Sequence, residues 1–246
     1  MSTVLALLPC VDEARNVGEL VRAMPGEVTC ALVVDDGSSD GTAQVARAAG
    51  AEVLRFERTR GVGAALRAGF DFALTHGFEV VAVLAGNGKD DPAEIPSLLE
   101  PITDGSADFV QGSRWLKRRP DLGAMPVYRR LATRLHPLLF TLATGHFVTE
   151  STNGFRAIHR RVLADPLLGL DGPHLDGYQL EPFLYARALA LGYRAVEVPV
   201  RKIYPQPTYG PVTRMKPISG WWQLLSPLLR AAGSRRGASP SDRAPF

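Results

Sequence analysis

The sequence predicts an α/β fold in which a mostly parallel sheet is covered by helices on both faces. Apolar strands alternate with amphipathic helices through the first half of the chain, an alternation typical of parallel sheets. Polar clusters follow three of these strands, and ligands bind beyond the carboxyl ends of strands in such sheets. The predicted strands are residues 3–9, 30–36, 52–56 and 79–85, and the predicted helices between them are residues 13–24, 39–50 and 62–77.

The second half of the chain is less regular. It is predicted to begin with a strand at 107–115, a basic loop at 115–125 and a helix at 126–144, followed by a turn, strand and helix within 151–163. A helix at 176–192 and a final strand at 193–203 come next. The pattern ends with a proline-rich basic segment at 199–217 and an amphipathic helix at 218–233. The long helix presents several arginines, so this half is expected to contact an anion.

The composition of the 246-residue chain excludes several classes of protein. The formal net charge is +3 and only four of the 28 basic residues are lysines, which favours local arginine contacts over a general nucleic-acid field. No apolar run approaches the roughly 20 residues of a membrane span, and the apolar start lacks a signal peptide's basic n-region. We therefore expect a cytoplasmic protein that binds no nucleic acid. Cys10 and Cys30 are predicted at opposite ends of neighbouring parallel strands, too far apart for a disulfide.

Paired carboxylates end the second predicted strand, in the segment VVDDGSSDGT. Gly37 permits a tight turn directly after them, so Asp36 is expected against a ribose or base and Asp35 against a base edge. Asp40, just before Gly41 and Thr42, is expected to cap the next helix. The segment therefore predicts a nucleotide-binding turn followed by a helix start.

Seven segments occur in the order and spacing of family 2 glycosyltransferases, and the chain resembles the dolichyl- or polyprenyl-phosphate sugar transferases among them. The segments, within residues 3–216, are LPCVDEARNV, VVDDGSSDGT, RGVGAALRAGF, the 85–92 loop, DFVQGSRW, STNGFRAIHR and GYRAVEVPV. The resemblance implies a GT-A fold, a nucleotide-sugar donor and inversion at the anomeric carbon. It assigns residues 1–112 to the donor-binding half and residues 113–231 to an acceptor-side half of the same domain. Residues 232–246 are expected to be a disordered tail.

The resemblance also implies site residues, position by position. Those expected to bind the donor are Pro9, Val11, Glu13, Asp35, Asp36, Arg60, Gly61, Thr213 and Arg214. Those that match basic positions facing phosphate are Arg114, Arg130 and Arg134. Glu150 stands where the family usually has an aspartate before the NGFRA segment.

The loop after the fourth predicted strand departs from the family pattern. Related enzymes carry an acidic Asp-x-Asp there, followed by a polar residue two positions on, and these hold a divalent cation on the donor diphosphate. The corresponding residues are Ala85, Asn87 and Lys89, with Gly86 between the first two. Because divalent ions prefer anionic oxygen ligands, loss of both carboxylates should weaken metal binding greatly.

Three interpretations of this loop remain open. Lys89 could neutralise the diphosphate as an ammonium, so that no metal cofactor is needed, or it could simply point into solvent. The alternative is a residual Mg²⁺ or Mn²⁺ site at Asn87 and Asp90. Asp91 precedes Pro92 in a pattern that indicates a helix cap.

The nature of the acceptor decides whether a catalytic base is needed. A lipid phosphate is already anionic, so arginines suffice, whereas a hydroxyl acceptor must lose its proton to a carboxylate. Glu181 is the first candidate base, since Pro182 is expected to disturb its helix and direct the carboxylate into the cleft. Asp176, at a predicted helix cap, and Glu150 are the next candidates.

The sequence therefore predicts a glycosyltransferase that uses a UDP-sugar, such as UDP-GlcNAc or UDP-Glc. The expected acceptor is soluble, as in the biosynthesis of a tunicamycin-like nucleoside. One alternative is a polyprenyl-phosphate glycosyltransferase at the membrane surface, with peripheral contact through residues 218–230. Another is a non-catalytic sugar-nucleotide binding protein. Trp221 and Trp222 are expected to cover the core, with membrane contact as the alternative.

Overall fold

The computed structural model describes residues 2–117, 120, 122–204 and 223–226, and its strands form one seven-stranded sheet. The strands are β1 (Val4–Cys10), β2 (Cys30–Asp35), β3 (Glu52–Arg55), β4 (Val80–Val83), β5 (Phe109–Ser113), β6 (Arg156–His159) and β7 (Ala195–Pro199). Their order across the sheet is β3-β2-β1-β4-β6-β5-β7. Neighbouring strands are parallel except around β6, which runs antiparallel to both β4 and β5.

Helices cover both faces of the sheet, as predicted. The described α-helices are α1 (Val17–Arg22), α2 (Thr42–Ala48), α3 (Val62–Thr75), α4 (Ile95–Thr103), α5 (Val127–Thr144), α6 (Arg160–Leu163) and α7 (Leu180–Ala190). Because side chains alternate along a strand, β1 contributes to two cores. Leu5 and Leu7 belong to one core with Phe70 of α3, and Leu8 belongs to the other with Leu98 of α4.

The antiparallel strand β6 brings a second-half segment to the functional edge of the sheet. Val83, the last residue of β4, pairs with Arg156, the first residue of β6. The chain therefore enters β6 at the edge where β4 and β5 end. Residues 150–155 consequently lie beside the loops that follow the parallel strands.

Three helices begin later than the sequence indicated. The carbonyl of Glu13 accepts the amides of Asn16 and Val17, so residues 13–16 form a turn and α1 begins at Val17. The second helix begins at Thr42 instead of residue 39, and α7 begins at Leu180 instead of residue 176. In each case the polar residues before the helix belong to a loop at the edge of the sheet.

Two expectations from composition agree with the structure. Cys10 pairs across the sheet with Asp35 while Cys30 pairs with Leu5, so the thiols lie at opposite ends of adjacent strands and form no disulfide. Within the described ranges, none of the helices combines the length and apolar composition that crossing a bilayer requires.

Candidate active site

Hydrogen bonds join the loops that follow β1 and β2. The amide of Asp12 donates to Ser38 Oγ at 2.9 Å. The carboxylate of Asp40 accepts from the amide of Ala14 at 3.0 Å and from that of Thr42 at 3.1 Å. The N-cap position of α2 is Gly41, so Asp40 is not the predicted cap. Its carboxylate instead binds the first amide of the helix and connects the two loops.

The paired carboxylates at the end of β2 have different surroundings. Asp36 accepts hydrogen bonds from the amides of Arg60 and Gly61, at 2.6 and 2.9 Å, and so holds the start of α3. Asp35 is fully buried, accepts the amide of Ser38 at 2.8 Å and does not line the cavity described below. The guanidinium of Arg60 lies over the Phe56 ring, 4.6 Å from its centroid. Of this group, Asp36 and Gly61 face the cavity described below.

The loop after β4 packs tightly against the end of β1. A Cβ atom on Gly86 would overlap the sulfur of Cys10, so a glycine is required for this approach. Asp91 accepts the amide of Ala93 at 3.1 Å, with proline at the first position of the short 3-10 helix. The predicted helix cap at Asp91 is confirmed.

The same loop is held by the segment that follows β7. Both carboxylate oxygens of Asp90 lie within 2.7 Å of the Lys202 ammonium, and both side chains are buried. The amide of Lys89 donates to Asn87 Oδ1 at 3.2 Å, and its carbonyl accepts from the amide of Ile203 at 3.1 Å. The backbone around Lys89 is therefore fixed from both sides.

These loops enclose a cavity of about 1360 Å³. The predicted donor residues that line it are Pro9, Val11, Glu13, Asp36, Gly61, Ala85, Gly86, Asn87 and Lys89. Arg114 and Glu181, from the second half of the chain, line the same cavity. The structure thus brings the predicted donor loops together with one predicted arginine and one predicted carboxylate.

Four cationic side chains surround Tyr204 at one end of the cavity. Arg114 donates to the Tyr204 hydroxyl at 3.1 Å, while Lys89 Nζ and the Arg129 guanidinium lie 5.2 and 5.6 Å from the ring centroid. Lys202 completes the group, and all five residues line the cavity. We call Lys89, Arg114, Arg129 and Lys202 the cationic cluster. The sequence pattern did not assign Arg129, Lys202 or Tyr204 to the site. The basic composition of the segment after β7 was the signal that could have identified Lys202 and Tyr204.

Burial and the charges of the cationic cluster shift the pKa values of Lys89 and Tyr204. Burial, followed by the charges of Lys202 and Arg129, lowers the pKa of the Lys89 ammonium to about 8. Burial opposes ionisation of Tyr204, but the charges of Arg114, Arg129 and Lys202 outweigh it and lower the pKa of that phenol. Burial is the larger cause for Lys89 and the positive field is the cause for Tyr204, and an anionic ligand beside these groups would favour the charged ammonium and oppose ionisation of the phenol.

Two arginines predicted to face phosphate lie away from the cavity. Arg130 donates to the carbonyl of Met125 at 3.1 Å, and the Arg134 guanidinium lies 4.7 Å from the Trp115 ring centroid. Successive helix residues are separated by about 100°, so only one side of α5 can face the site. Arg129 is the residue of α5 that lines the cavity, and it replaces Arg130 and Arg134 in this position.

Glu181 is the candidate base that lines the cavity. Its carboxylate lies 3.3 Å from Arg156 Nη2, and its carbonyl accepts from Arg156 Nη1 at 3.1 Å. Pro182 occupies the first turn of α7, where a missing amide costs no helical hydrogen bond, so the expected disturbance of the helix is absent there. The position of Glu181 comes instead from the buried Arg156.

The other two candidate bases have structural partners. Glu150 is fully buried, accepts from Arg114 Nε at 2.6 Å and also binds the amide and hydroxyl of Thr152. Asp176 pairs with Arg67, and its carbonyl accepts the Gly63 amide of α3 at 2.7 Å. Asp176 therefore does not cap α7 as predicted. Neither carboxylate lines the cavity, because each is used to join two parts of the fold.

Several predicted features lie outside the described residues: Thr213, Arg214, Trp221, Trp222 and the tail at 232–246. Of the segment 218–230, residues 223–226 are described. Leu224 is buried, and its carbonyl lies 3.1 Å from Nε2 of His136 on α5. This short piece packs on the protein beside the cavity.

The model of glycosyl transferase family 2 matches residues 6–165, which is more than half of the chain, and the chain belongs to this family of glycosyltransferases. Its fold is GT-A. The solved structure of glucosyl-3-phosphoglycerate synthase from Mycobacterium tuberculosis, in complex with Mn²⁺, UDP and phosphoglyceric acid, matches with a TM-score of 0.69 at 21% identity, over 94% of this chain and 79% of that chain.

Relatives of known name agree with the family. The chain is 32% identical to the undecaprenyl-phosphate mannosyltransferase of Micrococcus luteus over 209 residues, which is 80% of this chain and 82% of the relative. It is 32% identical to the polyprenol monophosphomannose synthase of Mycolicibacterium smegmatis over 206 residues, 80% of this chain and 76% of the relative. An uncharacterized glycosyltransferase of Mycobacterium tuberculosis is 35% identical over 212 residues, 85% and 86% of the two chains. The predicted family and fold are confirmed.

Proposed function

We propose that this enzyme transfers a sugar from a nucleoside diphosphate sugar to the phosphate of a polyprenyl phosphate at a membrane surface. The observation that carries this proposal is α5, which joins the cation-lined cavity to an exposed apolar face. The relatives named for undecaprenyl-phosphate and polyprenol substrates support the same class of acceptor. We keep uridine as the expected base of the donor and test it against guanosine below.

Helix α5 is apolar on two opposite sides. Thr133, His136 and Phe140 are spaced by three and four residues and face the core. The exposed residues are spaced in the same way on the other side and are 48% to 79% exposed: Val127, Tyr128, Leu131, Leu135, Leu138 and Leu142. We call this second side the apolar face of α5. It is the pattern of a helix that rests in a lipid interface.

The charge of α5 fits the same surface. Residues 125–144 contain three arginines and no acidic residue, so the helix complements an anionic membrane. Arg129 lines the cavity, while Arg130 and Arg134 lie nearer the apolar face. A phosphate held at Arg129, in the first turn of α5, would lie at the same end of the helix as the exposed Val127 and Tyr128, from which its polyprenyl chain can reach the apolar face. This arrangement favours a lipid phosphate over the soluble acceptor that the sequence alone suggested.

A phosphate acceptor requires no general base. An acceptor phosphate oxygen attacks the anomeric carbon, the bond to the donor diphosphate breaks, and the electron pair leaves with the nucleoside diphosphate. No proton is lost, and cationic side chains are needed on both phosphate groups. The cationic cluster supplies such charges at one end of the cavity.

A soluble hydroxyl acceptor is the second candidate, and the position of Glu181 favours it. A hydroxyl must lose its proton, and Glu181 is the predicted base that lines the cavity. Loss of a general base costs about 10²- to 10⁴-fold in rate. The variant Glu181→Gln therefore separates the two functions, because Arg156 retains its bonds to the carbonyls of Asn153 and Glu181.

The decisive assay uses the full chain with labelled UDP- and GDP-sugars, short-chain polyprenyl phosphates and a panel of soluble phosphates and alcohols. We expect product on the lipid phosphate, with Glu181→Gln retaining transfer to within about tenfold. Transfer to soluble alcohols alone, lost by more than about 100-fold in Glu181→Gln, would replace the proposal by the second candidate. Donor binding without transfer to any acceptor would mean that the protein binds a sugar nucleotide but does not catalyse transfer.

Membrane contact is tested by sedimentation with vesicles containing phosphatidylglycerol. Leu131→Ser and Leu138→Ser together should lower the bound fraction, because each removes apolar surface from the apolar face of α5. Leu167→Ser is the matched control, since Leu167 is 53% exposed but lies away from α5, next to α6. Equal vesicle binding by both variants would contradict a docking role for this face.

A further inference from the structure

The loop after β4 does not fit a divalent metal. Solved structures of similar fold hold Mn²⁺ together with UDP, whereas the side chains of this loop are poor metal ligands. Ala85 offers no ligand, and the side-chain oxygen of Asn87 already accepts the Lys89 amide. Asp90 is buried with both oxygens on Lys202. Across the described part of the chain, no group of three or more His, Cys, Asp or Glu residues could hold a metal ion.

The charge of Asp90 is also neutralised by the Lys202 ammonium. A metal site built there would have to displace the Lys202 ammonium from a buried ion pair, and breaking such a pair is strongly unfavourable. A divalent cation would then lie beside Lys89 and Lys202, where like charges oppose it. The residues in this loop therefore favour an anion and disfavour a cation.

Lys89 is the cationic side chain that the loop after β4 contributes to the cavity. It lines the cavity, is only partly exposed, and its backbone is fixed by Asn87 on one side and Ile203 on the other. Its ammonium lies over the Tyr204 ring, 5.2 Å from the ring centroid. The interpretation that Lys89 simply points into solvent is therefore wrong.

We propose that Lys89, placed by the 85–90 loop, neutralises the donor diphosphate in this enzyme, so that donor binding needs no divalent metal. This inference rests on the proposed function insofar as the donor is a nucleoside diphosphate sugar. When the glycosidic bond to the diphosphate breaks, the electron pair moves onto the diphosphate, and the Lys89 ammonium stabilises that charge. No proton transfer is required of the lysine, and the neighbouring cations keep the leaving group in one orientation.

Titration calorimetry of the full chain with UDP and with GDP, in EDTA and then in Mg²⁺ or Mn²⁺, tests the inference. We expect the nucleotide that binds to have the same Kd within about threefold under all conditions. Lys89→Ala should weaken it about 10- to 100-fold, as expected for a bond to a charged group, while Lys89→Arg keeps most of the affinity. Lys117→Ala is the matched control, because Lys117 pairs with Glu94 outside the cavity.

The possible failures are distinguishable. Binding that requires Mn²⁺ or Mg²⁺ and is unchanged in Lys89→Ala overturns this inference and leaves the proposed function intact. Binding of neither nucleotide under any metal condition removes the proposed function, and this inference with it. Equal losses in Lys89→Ala and Lys117→Ala would mean that a general positive field binds the diphosphate, which also overturns a specific role for Lys89.

Discussion

Proton uptake on nucleotide binding offers a quantitative test of Lys89. In the free protein the pKa of this ammonium is lowered to about 8, first by burial and then by the charges of Lys202 and Arg129. A diphosphate beside it favours the charged form and raises the pKa towards the usual value. Because the bound state then holds more protons than the free state, binding should take up protons above about pH 7, and affinity should fall as the pH rises.

The size of the effect follows from the two pKa values. With a pKa of about 8 in the free protein and about 10.5 in the complex, Lys89 should take up about 0.1 proton at pH 7, about 0.5 at pH 8 and about 0.9 at pH 9. The Kd for the nucleotide should weaken about tenfold between pH 7 and pH 9. The terminal phosphate of the nucleotide titrates near pH 6 and contributes little in this range.

Calorimetry in buffers of different ionisation enthalpy measures the uptake directly. Lys89→Ala should abolish the uptake and lower the affinity, whereas Lys89→Arg should abolish the uptake but keep the affinity, because a guanidinium stays protonated. Tyr204→Phe is needed as a second control, since the lowered pKa of that phenol would also rise when an anion binds. Uptake that persists in the double variant Lys89→Ala, Tyr204→Phe, or stays below about 0.1 proton at pH 8 in the parent protein, would refute the role of Lys89.

Two further predictions concern the contacts that support the site. Replacing Glu150 by Ala should lower the free energy of unfolding by about 3–5 kcal/mol in urea titrations, because it leaves Arg114 charged in a buried position; a loss no greater than that of Glu150→Gln would contradict this. Gly63→Ala should destabilise by about 1–3 kcal/mol although alanine is the better helix former, because a Cβ there would lie 2.7 Å from the Gly177 carbonyl and closer still to that of residue 175. Gly26→Ala, with open space around its Cβ, is the control for denaturation, and stabilisation by Gly63→Ala would refute the packing argument.

The donor loops were predictable because their positions follow from local rules. Parallel strands end at one edge of a sheet, so Glu13, Asp36 and Asn87 were expected to converge from their places after three strands. The cap at Asp91 was equally local, since proline and an acidic residue follow it at fixed distances. In both cases the chain needs only short-range information to place the residue.

The cationic end of the cavity depends on contacts that the sequence does not encode locally. Asp90 meets Lys202 across 112 residues, and Arg114 meets Tyr204 across 90, only after β7 has joined the sheet beside β5. The periodicity of α5 correctly predicted a helix, but two of its sides are apolar and the sequence does not say which one is covered. The resemblance to the family assigned Arg130 and Arg134, whereas the residue of α5 that lines the cavity is Arg129.

The helix cap predicted at Asp176 was wrong for a different reason. Its place before an amphipathic helix indicated a cap, but its carbonyl instead binds the start of α3, which approaches closely because Gly63 has no side chain. That contact joins residues more than 100 positions apart. A cap predicted from neighbouring residues cannot take account of a competing partner so distant in sequence.

The antiparallel direction of β6 brings the two ends of the segment between β5 and β6 close together. The chain leaves β5 at Arg114 and re-enters the sheet after Glu150, and these two residues form a buried ion pair at the base of the excursion. The hydroxyls of Ser113 and Thr149 meet at the same point, 2.7 Å apart. The excursion that contains α5 therefore starts and ends at neighbouring points of the fold and is separate in sequence from the donor loops. Exchanging residues 115–149 between relatives, with Arg129 kept in place, should alter the acceptor while the rest of the cavity keeps its shape.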